Sequence, residues 1–287
     1  MEIGTSFPLF EFGTDAGAIK AFAVAADELG YQHLSCIDHV LGVDKSSHPD
    51  YNPIPRFVAH YFLYNQFHEM FTLFSYMAAA TSRIRFFTGI LILPQRQTAL
   101  VAKQAAEVDI LSKGRLSLGV AVGHTDIEYK GLGMEFENRG SRIIEQIEVL
   151  RMLWTQPVVH FRGKYHDLDG VGINPLPVQR PIPIWMGGWR DPVLKRAARI
   201  ANGIVAPMKP ISELKQLVAE AGRDPNKFGF TGGVGAGPGD LSKAVVAARA
   251  QQERGVTMLS VSTGGNNYTI DQHIDALRRF KATYGSF

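Results

Sequence analysis

A chain of 287 residues, 45% hydrophobic and 20% charged, can hold one large α/β barrel or two small domains and is too apolar for wholesale disorder. The formal net charge of +3 comes from basic residues scattered among acidic ones, which leaves no footprint for nucleic acid, and no run approaches the roughly 18 uninterrupted apolar residues of a membrane span. The single cysteine, Cys36, excludes an internal disulfide and sits in an apolar run, where a buried thiol is expected and a nucleophile is not.

The amino terminus, MEIGTSFPLF, has no basic region ahead of an apolar stretch, so a cytoplasmic protein is expected. Apolar β-type runs then fall at residues 3–7, 33–37, 85–92, 116–122, 182–186, 203–206, 228–234 and 257–262. Helical spacing follows them at 16–29, 70–80, 99–111, 140–153, 192–201, 212–220, 242–252 and 270–284. The clearest stretch is 83–123. Its first strand stops at Leu93-Pro94, its helix repeats Val101, Ala105, Val108 and Leu111, and its second strand is uninterrupted. Continuous apolar strands belong to a parallel sheet buried on both faces, and eight such units close into a (β/α)8 TIM barrel that keeps ligands at the carboxyl ends of its strands.

Local signals support several boundaries. Asp191-Pro192 has the form of an N-cap followed by proline, Thr269 and Gln272 have capping-box spacing, and Gly30 and Gly203 stand where left-handed residues end helices. Two connections are long, giving insertions after the second strand (41–68) and between the fourth helix and fifth strand (155–181) of a single domain, 1–287. The first holds Tyr51, Tyr61, Tyr64, His48, His60, Pro53 and Pro55 and is expected to form a lid over the mouth. The second contains arms 158–161 and 164–168 around Arg162-Gly163, which predicts a hairpin.

Asp38-His39 follows the second strand directly, so an acid and an imidazole would project together into the mouth; the plainer alternative is a turn cap beside a surface histidine. Gly187-Gly188 opens a helix and is either a phosphate cradle or a tight turn. Gly123, His124 and Thr125 end the fourth strand, with Glu128 and Tyr129 just beyond. The run GGVGAGPGD, 232–240, lacks the spacing of a dinucleotide fingerprint but could hold a phosphate together with Gly264-Gly265-Asn266-Asn267. No histidine pair has zinc-protease spacing and no GxSxG elbow exists, so neither a metal site nor nucleophilic hydrolysis is expected.

The blocks TGILILPQRQ, DILSKGRLSLGVAVG, EYKGLGMEFENRGSRIIEQIEVLRMLW, FRGKYH and PIPIWMGGWRDPVLKRAARIANG stand in an order that resembles the luciferase-like monooxygenase family, specifically its F420-dependent oxidoreductase branch. The resemblance implies a TIM barrel, commonly a homodimer, binding the deazaflavin F420 or alternatively FMN. It implies acid–base roles for Asp38 and His39, an open role for His124, and cofactor contacts from Asp38, Leu91, Leu93, Gly123, Tyr129, Met186, Gly187, Gly188 and Trp189. It also implies a non-prolyl cis peptide within 89–91. The function expected is hydride transfer between F420 and an organic small-molecule substrate. Alternatives are an FMN-dependent monooxygenase fed by a separate reductase and, in another class, a phosphate-binding barrel lyase or isomerase.

Overall fold

Every strand of the central sheet runs parallel to its neighbours, and the sheet closes on itself. In the computed structural model, which describes residues 1–51, 63, 65–239 and 241–285, the strands are β1 (Glu2–Ser6), β2 (His33–Cys36), β3 (Arg85–Ile92), β4 (Leu116–Ala121), β7 (Ile184–Gly187), β8 (Gly203–Val205), β9 (Gly229–Gly235) and β10 (Met258–Ser262). Their order around the barrel is β1-β10-β9-β8-β7-β4-β3-β2, with β1 pairing both β2 and β10 to complete the ring. The eightfold alternation expected from the sequence is therefore the observed architecture. Helices α1 (Ala16–Glu28), α2 (Met70–Ala80), α3 (Thr98–Leu111), α5 (Arg139–Thr155), α6 (Asp191–Ile200), α7 (Ile211–Glu220), α8 (Ser242–Glu253) and α9 (Ile270–Gly285) follow the strands. A further short helix, α4 (Asp126–Gly131), is not among the predicted elements; six residues are too few to show a helical period. The hairpin β5 (Val159–Arg162) and β6 (Asp167–Val171) is antiparallel, its second arm lying a few residues beyond the predicted one.

The middle of the expected lid, 52–62 and 64, including Pro53, Pro55, His60, Tyr61 and Tyr64, lies outside the described residues. Its first arm folds back over the barrel mouth, where Lys45 Nζ donates to the Pro49 and Tyr51 carbonyls and the Tyr51 hydroxyl lies 3.1 Å from Thr125 Oγ1.

Four local expectations change. The cis peptides among the described residues are Asn174-Pro175 and Arg180-Pro181, so the one expected within 89–91 is corrected. The irregularity there is a bulge: Gly89 pairs Gly119 while Leu91 pairs Val120, which leaves Ile90 as the extra residue. Asp191 begins α6 instead of capping it, and its carboxylate pairs with Lys209 at 2.7 Å. Gly203 opens β8, and it is required because a Cβ there would stand 2.3 Å from the Trp185 ring. In the second insertion, His160 meets Asp169 across the hairpin, but His166 turns inward to Glu145 and Thr98. The box of Thr269 and Gln272 forms reciprocally, and Gly30 takes φ +75 as its position demands.

The amino-terminal end of the barrel interior is filled by His33, Phe87 and Trp185, whose rings meet edge to face. Burial, with the nearby charge of Arg85, holds the His33 imidazole down to about 3. An unfolded chain protonates this histidine as pH falls through its ordinary range, whereas the folded ring stays neutral, so stability is present above that range and drains away on acidification. The slope approaches about 1.4 kcal/mol per pH unit for one such group. Thermal midpoints should therefore fall between pH 6.5 and about 4.5, and His33→Gln should show a shallower fall over the same interval. Equal slopes in calorimetry would reject the neutral, buried state.

Candidate active site

The site is built where β2 leaves the barrel. Asp38 and His39 are consecutive, so they leave the strand in different directions and do not project together as expected. The Asp38 carboxylate turns inward, accepting from the Ile92 N–H at 2.9 Å and from Arg96 Nη2 at 2.7 Å. Burial pushes this carboxyl above its ordinary range, against the Arg96 guanidinium and the Ile92 N–H, which favour the charged form. Arg96 also reaches Glu69, so one guanidinium ties the β2 exit, the β3 exit and the start of α2. Asp38 is thus a buried tie between strand ends and does not orient its neighbour.

His39 is oriented by Glu128 instead. Its Nδ1 lies 2.9 Å from Glu128 Oε2, while Glu128 Oε1 accepts from the Val40 N–H at 2.6 Å, the Leu41 N–H at 3.2 Å and Gln95 Nε2 at 3.2 Å. The Glu128 carboxylate is buried; desolvation raises its pKa, but the His39 hydrogen bond and charge, with the two backbone donors, outweigh it and hold it below the ordinary range. A neutral His39 with Glu128 as its acceptor carries its hydrogen on Nδ1. His124 stands edge-on to His39 with centroids 6.3 Å apart. Burial, and secondarily the neighbouring His39, lowers its pKa, so the second imidazole favours the neutral form.

Beside these rings a cavity of about 330 Å³ opens among the ends of β1, β2, β3 and β10. Its wall combines Phe7, Phe10 and Ile37 with the hydroxyls of Ser6 and Ser35 and the bare backbone of Gly89, Gly264 and Gly265. Phe67 bridges it to the histidines, with its ring 5.2 Å from Phe10 and 5.0 Å from His39. Cys36 lines the same cavity but is buried, which pushes its thiol up to about 12 and leaves it a poor nucleophile. Glu11 clamps the neighbouring loop by accepting from the Asn266 and Asn267 N–H groups, and is itself 2.7 Å from His273 Nε2.

The other predicted contacts divide. Leu91, Leu93 and Met186 are core side chains that present no surface to the mouth. Tyr129 is equally buried and donates its hydroxyl to the Val122 carbonyl at 2.7 Å. Gly123 (φ +63) and Gly188 (φ +146) have the backbone angles that favour glycine, and a Cβ would crowd Ile92 at the first and Val193 at the second. Gly187 lies half-buried beside them, and Trp189 is exposed on the rim. Glu128, Arg96 and Gln95 are site residues that the sequence does not single out; the only signal is the fall of Glu128 just past a strand end. Removing the cation from the buried pair, Arg96→Met, should cost roughly 3 kcal/mol or more in urea unfolding, and adding Asp38→Asn should return part of it.

Against known proteins, the family model described as luciferase-like monooxygenase matches residues 1–281. An uncharacterized protein of Mycobacterium tuberculosis is 35% identical over 225 residues, 78% of this chain and 77% of that protein. The FMNH2-dependent dimethylsulfone monooxygenase of Pseudomonas putida is 33% identical over 151 residues, which cover 51% of this chain and 41% of the relative. Among solved structures, an F420-dependent secondary alcohol dehydrogenase in complex with an F420-acetone adduct superposes with a TM-score of 0.75 at 17% identity, covering 99% of this chain and 98% of that one. At that identity the likeness speaks for the fold.

Proposed function

Because the chain belongs to the luciferase-like monooxygenase family, we propose that it is an F420-dependent oxidoreductase moving a hydride between the deazaflavin and an organic substrate. The observation that carries this reading is the imidazole of His39, held by a buried carboxylate, facing a second histidine and separated from the mouth cavity by the Phe67 ring. Hydride reduction of a carbonyl, or its reverse, needs one proton given or taken beside the reacting carbon, and a histidine with an anionic partner supplies that at neutral pH.

The cavity fits such a cofactor. Aromatic and aliphatic walls suit the face of a flat heterocycle, the Ser6 and Ser35 hydroxyls suit its polar edge, and the glycines let backbone approach it. Its volume of about 330 Å³ lies within the range of small-molecule sites. When bound, the deazaflavin would supply the hydride chemistry itself. The chain's own residues do the rest. His39 holds or moves the substrate proton, Glu128 fixes the ring through Nδ1, and His124 forms a neutral wall. The Gly187-Gly188 turn before α6 would seat the phosphate, and the first insertion would cover the substrate.

A second reading, an FMN-dependent monooxygenase fed by a separate reductase, is supported by the FMNH2-dependent activity of the Pseudomonas relative. The phosphate-binding lyase or isomerase draws no support from the family. A homodimer is the expected assembly under either flavin reading.

Parallel titrations with F420 and FMN, followed by absorbance and fluorescence, decide between the cofactors: saturable binding of F420 and not of FMN is expected. His39→Ala should lower turnover by roughly 10²-fold or more while cofactor affinity stays within about twofold. Unchanged turnover would remove His39 from the chemistry. Glu128→Gln keeps the size of the side chain but not its charge, so it should lower turnover about tenfold or more in steady-state assays without the same loss of cofactor binding.

A further inference from the structure

A column of polar side chains passes up the inside of the barrel. His33 and Ser35 are two residues apart on β2 and so share one face of the strand. His33 Nε2 lies 2.9 Å from Ser260 Oγ on β10, and Ser260 Oγ lies 3.2 Å from Ser35 Oγ. Ser35 Oγ in turn donates to Ser6 Oγ on β1 at 3.3 Å. The column ends at a cavity on each side. Ser6 and Ser35 line the mouth cavity described above. His33 lines a second cavity, also about 330 Å³, at the amino-terminal end of the barrel with Arg85, Lys227 and Trp185. The His33 Nδ1 atom is buried and has no hydrogen-bond partner among the described residues.

We propose that the His33–Ser260–Ser35–Ser6 column conducts protons between the floor of the barrel and the mouth cavity. In the upward direction a proton joins Nδ1 of His33 and the Nε2 hydrogen passes to Ser260 Oγ. The Ser260 hydrogen passes to Ser35 Oγ, the Ser35 hydrogen to Ser6 Oγ, and Ser6 gives its own to an acceptor in the mouth. One N–H or O–H bond breaks for each that forms, and no electrons move. Passage leaves every donor pointing down, so the next proton travels the other way.

A redox site meets that requirement without any rotation of the buried ring, because its two half-reactions take up and release a proton in turn. This step of the argument rests on the oxidoreductase reading; the column itself does not. Two further features suit conduction. Burial keeps the His33 ring neutral, so a proton passes through it and does not lodge there. The Thr5 carbonyl, 3.4 Å from Ser35 Oγ, gives the Ser35 hydrogen an alternative resting place between transfers. A (β/α)8 interior is ordinarily filled by branched apolar side chains, which makes a continuous run of hydroxyls and imidazole a departure that packing does not require.

The test uses the full chain labelled with [15N]histidine, without any cofactor, transferred from water to deuterium oxide and followed by NMR. The ring N–H of His33 should exchange at least tenfold faster than the backbone amide hydrogens of β2. Ser35→Ala should slow that exchange tenfold or more, and Ser260→Ala, which removes the hydroxyl that His33 Nε2 meets, cuts the column if Ser35→Ala does not fold. Ring exchange no faster than the strand amides, or unchanged by the serine substitution in the folded variant, would overturn the proposal. Failure to bind F420 or FMN would instead count against the functional reading and leave this measurement intact.

Discussion

The carboxylate of Glu128 is the interaction on which the site depends. A closed parallel barrel fixes its strands firmly but leaves the loops beyond them with N–H groups that nothing in the sheet satisfies. At the β2 exit the two such groups of Val40 and Leu41 are met by Glu128, which also holds Gln95 and the His39 ring. A single buried anion thus sets the path of the loop and the direction of the imidazole at once. Its burial would be costly in isolation, and it persists as a carboxylate because every partner donates to it.

Asp38 performs the complementary task one residue earlier. Where Glu128 draws the loop toward α4, Asp38 and Arg96 draw the strand end toward β3, just past the bulge at Ile90. The bulge shifts the register between Gly89 and Leu91, and Asp38 accepts from the Ile92 N–H directly after it. Glu128 therefore orients the His39 ring while Asp38 anchors the strand end one residue earlier, and neither lines the cavity. An imidazole fixed through its Nδ1 is the consequence.

How much of this was legible in the chain depends on range. The barrel was, because strand and helix periods are local and eight continuous apolar runs admit few architectures. The adjacency of Asp38 and His39 to a strand end was legible for the same reason, but their division of labour was not. It is decided by Glu128, 89 residues beyond His39, on a helix too short to announce itself. The bulge at Ile90 falls inside GILIL, where Gly89 is the one local mark of an extra residue and does not by itself fix its place. The resemblance implies cofactor contacts for the segments of Leu91, Leu93 and Met186, whose side chains are buried in the core.

The interior of the barrel poses the remaining question of cost. Replacing Ser35 and Ser260 by apolar side chains of similar size would remove hydroxyls whose hydrogen bonds contribute only about 0.5–1.5 kcal/mol each, while His33 keeps a buried Nδ1 without a partner. Gly4 cannot carry a side chain because the His33 ring occupies the space a Cβ would need, so the imidazole also imposes a glycine on the neighbouring strand. An interior chosen for stability alone would resolve both by placing an aliphatic residue at position 33. The chain instead retains a neutral imidazole that weakens it on acidification, set in a line of hydroxyls ending at the reaction chamber. A stability penalty kept beside a line of hydroxyls is more readily understood as the cost of a function than as an accident of packing.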